Sequence, residues 1–126
     1  MWNAPEPAPF APSVPELAMP RPRLDDDGQT VTLDLHGARV AQALDLALAA
    51  AERASERGRR TLRLVHGLST SEAGAGRTIR AGLYDAWDAG DFDRWAVDAV
   101  RMEGVLVLSL DPAPSPLAGR LRLADL

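Results

Sequence analysis

The chain has 126 residues, a length that suits one domain with a single core rather than two. Hydrophobic residues make up 46% and charged residues 25%, and no apolar run approaches the roughly 18 residues of a membrane span, which predicts a soluble domain with no membrane contact. The absence of cysteine excludes disulfides, thiolate metal sites and a cysteine nucleophile, and the formal charge of −4 excludes an overall basic footprint for nucleic acid.

Residues 1–29 read as a leader. Seven prolines, at positions 5, 7, 9, 12, 15, 20 and 22, alternate with alanine and other residues. Proline lacks a backbone donor and fixes φ, so this stretch is expected to be extended or disordered, with Trp2, Phe10 and Leu17 as the side chains able to dock on a surface groove. The stretch also lacks the basic segment and apolar core of a signal peptide, so residence in the cytoplasm is expected. Most of the excess negative charge lies here, on Glu6, Glu16 and Asp25 to Asp27. Every basic side chain is arginine, whose planar fork matches a phosphate.

A domain is expected over residues 30–110. From Thr30, Val31, Leu33 and Leu35 alternate with Thr32, Asp34 and His36, the period of a strand with one apolar face. After Gly37 the period changes. Val40, Leu44, Ala47, Leu48 and Ala51 form a helical stripe within a helix from about Ala38 to Arg57, and Gly58 stands where a C-terminal cap belongs. Thr61 to Val65 is a second short strand. A strand, a helix and a strand in this spacing form a βαβ unit with parallel strands, so both strands end on the same edge of the sheet.

That edge matters because the chain has only two histidines, His36 and His66, each closing an apolar run and each followed by glycine. A loop of small and hydroxyl residues from Leu68 to Gly76 follows, and then a second helix with Ile79, Leu83, Ala86 and Trp87 on one face and Gly90 beyond its end. Asp91 to Asp93 read as a polar connection, Trp95 to Val100 as a third strand, Glu103-Gly104 as a turn and Val105 to Leu110 as a fourth strand. The unbroken run Val105 to Leu108 predicts a central strand covered on both faces. Residues 111–126 are a tail interrupted by Pro112, Pro114 and Pro116, with an edge strand possible over Arg120 to Leu123. The four arginines Arg57, Arg59, Arg60 and Arg63 begin at the opposite end of the sheet and read as a solvated cap.

Leu33-Asp34-Leu35-His36-Gly37, followed in order by a helix, a strand, His66-Gly67, a glycine-containing loop and the helix start Gly74-Ala75-Gly76-Arg77-Thr78-Ile79-Arg80, resembles the Smr (small MutS-related) domain over about Val31 to Leu110. The resemblance implies an α/β fold, a two-layer sandwich of order βαβαββ with a four-stranded mixed sheet and two helices. It also implies a stand-alone nucleic-acid-binding domain, often endonucleolytic, acting on RNA, ribosome-associated RNA included, or on DNA. The chain departs from the family pattern at Leu68-Ser69-Thr70-Ser71, where the family has a basic or small residue and another glycine.

Phosphodiester cleavage needs a proton acceptor, a proton donor and stabilisation of charge on the phosphate oxygens. Asp34, His36 and His66 are the candidate catalytic residues, since a histidine of pKa about 6.5 exchanges protons near neutrality. The candidate phosphate-binding residues are Gly37, Arg39, Gly67, Ser69, Gly74, Gly76, Arg77 and Arg80. Backbone N–H groups at the two helix starts favour an anion, and arginines placed there oppose the helix dipole by roughly 0.3 to 1 kcal/mol each unless an anion is bound. The reading is thus a metal-independent endonuclease with no cofactor. Two alternatives stay open: a non-catalytic RNA- or ribosome-binding module with an altered second loop, and a metal site on Asp34, His36 and His66.

Overall fold

The computed structural model describes residues 21–67 and 78–126, and the structural statements below concern those residues. The expected docking residues Trp2, Phe10 and Leu17 and the loop from Leu68 to Gly76 lie outside them. The elements in order are β1 (Arg23–Asp26), β2 (Thr30–Asp34), α1 (Val40–Glu56), β3 (Thr61–Val65), α2 (Ile79–Asp88), β4 (Ala96–Met102) and β5 (Val105–Leu110), with a short 3-10 turn at Leu123–Asp125.

The strands form one mixed sheet in the order β1-β2-β3-β5-β4. β2 and β3 are parallel, as the helical crossover requires, and the other neighbours are antiparallel. Alternation decides which side is core: Val31 and Leu33 of β2, Leu62 and Leu64 of β3 and Leu106 and Leu108 of β5 are fully buried. Their neighbours Thr32, Val65 and Val107 face the other way and stay partly exposed. The expectation that Val105 to Leu108 is covered on both faces is therefore corrected. β5 does lie inside the sheet, but helices cover only one face.

α1 also differs from its sequence reading. The buried stripe is Ala43, Ala47, Ala50, Ala51 and Ala54, while Val40, Leu44 and Leu48 are half-buried at its margin. Alanines let the helix sit close on the sheet, and the larger side chains turn toward α2. A Cβ added at Gly82 of α2 would lie 3.1 Å from Val40 Cγ1 and 3.6 Å from the Leu44 methyls, so Gly82 lets the two helices approach. Phe92, expected within a polar connection, is among the largest fully buried side chains.

The helix ends follow local rules. Thr78 caps α2, its hydroxyl oxygen accepting the Ala81 N–H at 3.0 Å. α1 closes with the Gly58 N–H donating to the Ser55 carbonyl and the Arg59 N–H to the Ala54 carbonyl, both at 3.0 Å, a Schellman arrangement with Gly58 at φ +76°. A Cβ at Gly58 would also stand 2.9 Å from Pro116, so the tail presses against this turn.

Two boundaries shift. The sheet has five strands, not four, and its order is ββαβαββ, because residues 23–26, expected to belong to the leader, pair with β2. Consecutive aspartates disfavour a strand on propensity alone, and tertiary contacts override that preference here. Asp26 lies on the core side of the sheet edge, where its carboxylate accepts Arg59 Nε at 2.7 Å, the Gly28 N–H at 2.9 Å and the Leu121 N–H at 2.6 Å. Arg59 is thus no solvated cap: its side chain is 12% exposed, and it also donates to the carbonyls of Arg57 and Gly119.

The tail is a strap rather than an edge strand. The Leu117 N–H donates at 2.8 Å to the Glu56 carbonyl, an acceptor that the end of α1 leaves open, and the Ala113 N–H joins that of Gly58 on the Ser55 carbonyl at 2.9 Å. Leu121 is buried beside β1, and Arg53 Nε donates to the Asp125 carbonyl. Among the described residues no helix is long and apolar enough to cross a membrane.

Burial disfavours charge on Asp26, but the Arg59 hydrogen bond, the Leu121 and Gly28 N–H groups and the Arg59 charge outweigh it and hold its pKa below 3.8. Asp26→Ala is expected to cost about 3 to 5 kcal/mol in urea unfolding, because it strands the buried Arg59. A depressed carboxylate adds stability that is complete above the unfolded value of 3.8 and lost as pH falls through the lower folded value. The variant should lack that acid-side loss. Gly58→Ala should cost more than about 1 kcal/mol by the same measurement, since alanine resists positive φ and its methyl meets Pro116.

Candidate functional site

The two His-Gly corners meet. Asp34 pairs with Val65 at the carboxyl ends of β2 and β3, and the ladder continues one step further through the Leu35 N–H on the Val65 carbonyl at 2.8 Å. Gly37 and Gly67 both have positive φ, 89° and 82°, turning each chain away from the sheet. A Cβ placed on Gly67 would stand 3.4 Å from His36 Cβ. The second corner is held from its other side, where the His66 and Gly67 N–H groups both donate to the carbonyl of Gly104, in the turn between β4 and β5.

Strand alternation then sends the two histidines in different directions. Asp34 belongs to the uncovered side with Thr30 and Thr32, and its Oδ1 accepts the His36 backbone N–H at 3.1 Å and lies 3.2 Å from His36 Nδ1. The His36 side chain is 52% exposed. In the neutral ring, the acceptor on Nδ1 places the proton there and leaves Nε2 with its lone pair. Arg23 of β1, across from Asp34, brings its guanidinium to 3.9 Å from the other carboxylate oxygen.

His66 is level with Leu35 on the helix-covered side and is buried. Its ring meets Tyr84 of α2 edge-on, with centroids 6.2 Å apart. Nδ1 lies 2.8 Å from the Gly67 carbonyl, which can only accept, so Nδ1 carries the proton. Nε2 is buried and has no hydrogen-bond partner among the described residues. Burial lowers the pKa below 6.5, the Gly67 carbonyl opposes that shift in part, and the Arg80 charge adds to it. The neutral imidazole is therefore favoured. A division of acid and base duties between the two histidines needs both rings open to one phosphate, and only His36 is open.

Arg39 is exposed and occupies the N-cap position of α1, where its side chain makes no capping hydrogen bond and no acidic residue stands in the first turn. The first N–H groups of a helix have no partner within it and favour an acceptor from outside. Arg80 is exposed in the first turn of α2, close enough to His66 to act on its charge. The expected phosphate contacts Ser69, Gly74, Gly76 and Arg77 lie outside the described residues. Among the described residues no group of three His, Asp or Glu side chains is placed to hold a metal ion.

The sequence reading missed Arg23, Tyr84 and Arg101. Arg23 was hidden in the supposed leader. Tyr84 follows Arg80 at i+4 on the same helix face, a spacing that does signal proximity. Arg101 stacks over Tyr84 at 4.3 Å and pairs with Asp88 at 3.1 Å, contacts across elements that no local pattern announces. No family model, curated protein or solved structure matches the chain.

A ring titration followed by NMR should give His66 a midpoint below 6.5. A base with a lowered folded pKa is protonated first in the unfolded chain, so stability should fall as pH drops below 6.5 toward the folded value. His66→Phe should flatten the dependence of urea midpoint on pH in that window. An unchanged slope would mean that His66 is not held neutral by the fold.

Proposed function

We propose that the protein is a Smr-like nucleic-acid-binding domain that cleaves RNA by metal-independent transesterification in the cytoplasm, with Asp34 and His36 as its acid–base unit. The observation that carries this reading is the exposed His36 ring, with Nδ1 directed at the Asp34 carboxylate, on the carboxyl edge of two parallel strands beside an uncapped helix start. Open α/β sheets place their sites at that edge.

In the proposed reaction Asp34 orients the ring and stabilises its charged form. His36 Nε2 takes the proton from a ribose 2′-hydroxyl, whose oxygen attacks the adjacent phosphorus. The bond to the 5′-oxygen breaks, giving a 2′,3′-cyclic phosphate on one fragment, and a proton from the protonated His36 or from water completes the 5′-hydroxyl on the other. Arg39, Arg80 and the N–H groups at the start of α1 would hold the phosphate oxygens. RNA is favoured over DNA because it carries the nucleophile. His66, neutral and buried, would order the second corner rather than exchange protons.

The burial of His66 Nε2 also supports a second reading, a non-catalytic module that binds RNA or the ribosome through the same edge. Labelled single-stranded and structured RNA, incubated with the protein in excess chelator, separates the two. Cleavage should appear and fall by about 10² to 10⁴ in His36→Ala, the usual worth of a general base, with a smaller loss in Asp34→Asn. Binding without cleavage would favour the module. Cleavage that appears only with added metal, or that survives His36→Ala, would overturn the proposed chemistry.

A further inference from the structure

Three of the most exposed large hydrophobic side chains among the described residues sit on one strand: Val97, Val100 and Met102 of β4, at 69%, 52% and 56%. Pairing extends this patch. Val100 lies beside Val107 and Met102 beside Val105 of β5, while Val105 lies beside Val65 of β3, and Val65 beside Asp34 of β2. An apolar strip thus crosses the sheet face that the helices leave uncovered and ends near the Asp34–His36 edge. Arg63, exposed and paired with Val107 and Thr32, is the cation next to it. Contiguous exposed apolar surface of this kind marks an interaction site.

We propose that this face is the docking site for residues 2–19 of the same chain. The tether places them there. Residue 20 leads into β1, whose first residue Arg23 stands across from Asp34 at the end of the strip. From β1 to β4 is four strand spacings, roughly 19 Å, whereas twenty extended residues reach roughly 60 Å. So short a span gives the segment an effective concentration on the order of millimolar.

Composition fits the same occupant. Trp2, Phe10, Val14, Leu17 and Met19 are spaced among prolines, and the segment has two carboxylates, Glu6 and Glu16, and no basic side chain before Arg21. Arg63 is the cation that those carboxylates can pair with, while Asp34 and Asp98 flank the strip. Its prolines lack the N–H groups needed to extend the sheet along the β4 edge, so side chains on the face, not backbone at the rim, are what it can engage. Docking rests on no assumption about catalysis.

The chain has no cysteine, so Ser13→Cys creates a unique point for a nitroxide label in the 126-residue chain. Paramagnetic broadening is expected to reduce the amide peak intensities of residues 97–102 and 105–107 relative to the reduced label. Val100→Glu, placed on an already exposed position, should restore them while leaving the rest of the spectrum in place. Broadening limited to residues 21–26, or unchanged by Val100→Glu, would overturn the proposal. Mixing 15N chain without label and labelled chain without 15N tests the rival occupant: broadening of the same residues in that mixture would assign the face to a second copy instead.

Discussion

Parallel strands cannot be joined by a tight turn, and the rest of the architecture follows from that constraint on β2 and β3. The link between them must cross one face of the sheet, and α1 is that link. Once it crosses, both strands end on the same edge, and Leu35 N–H on the Val65 carbonyl carries the ladder to the point where both chains turn. Two histidines thirty positions apart thus occupy neighbouring corners.

The far edge of the sheet depends on a different device, one buried charge. Asp26 reaches β1, the end of α1 and the tail at once, through Gly28, Arg59 and Leu121. A carboxylate removed from water is costly unless its oxygens are fully hydrogen-bonded. This one is satisfied only when the turn at Gly28 and two distant segments, at Arg59 and Leu121, are in place together. The pair therefore links the order of β1 to that of the C-terminal strap, and it explains why two stretches that look peripheral in the sequence belong to the folded unit. It also spends one arginine of a cluster that would otherwise read as a basic patch.

At the candidate site the same alternation that builds the core separates two side chains that look equivalent in sequence. His36 projects with Asp34 into solvent, and His66 projects beneath the sheet against Tyr84. Surroundings then set their chemistry. A carboxylate beside an exposed imidazole orients it for proton transfer, whereas burial beside an arginine holds an imidazole neutral. The two rings therefore differ in access: the His36 ring is open to solvent, and the His66 ring packs between the second corner and α2.

The sequence by itself determined the elements with strong periodicity: β2, β3, β5 and both helices, the cap at Gly58, and the meeting of the two His-Gly corners. These are set by local backbone preference and by the two side-chain periods, which act within a few residues. Only the tertiary structure decided that Asp25 and Asp26 belong to a strand, that alanines rather than leucines face the sheet, that the Arg59 side chain is largely buried and that the two histidines part company. Each of those outcomes depends on what lies across from a residue in space: a partner for a charge, a neighbouring helix at Gly82, a covered or an open side of the sheet. Such partners come from positions far away in the chain, and no period read along it can supply them.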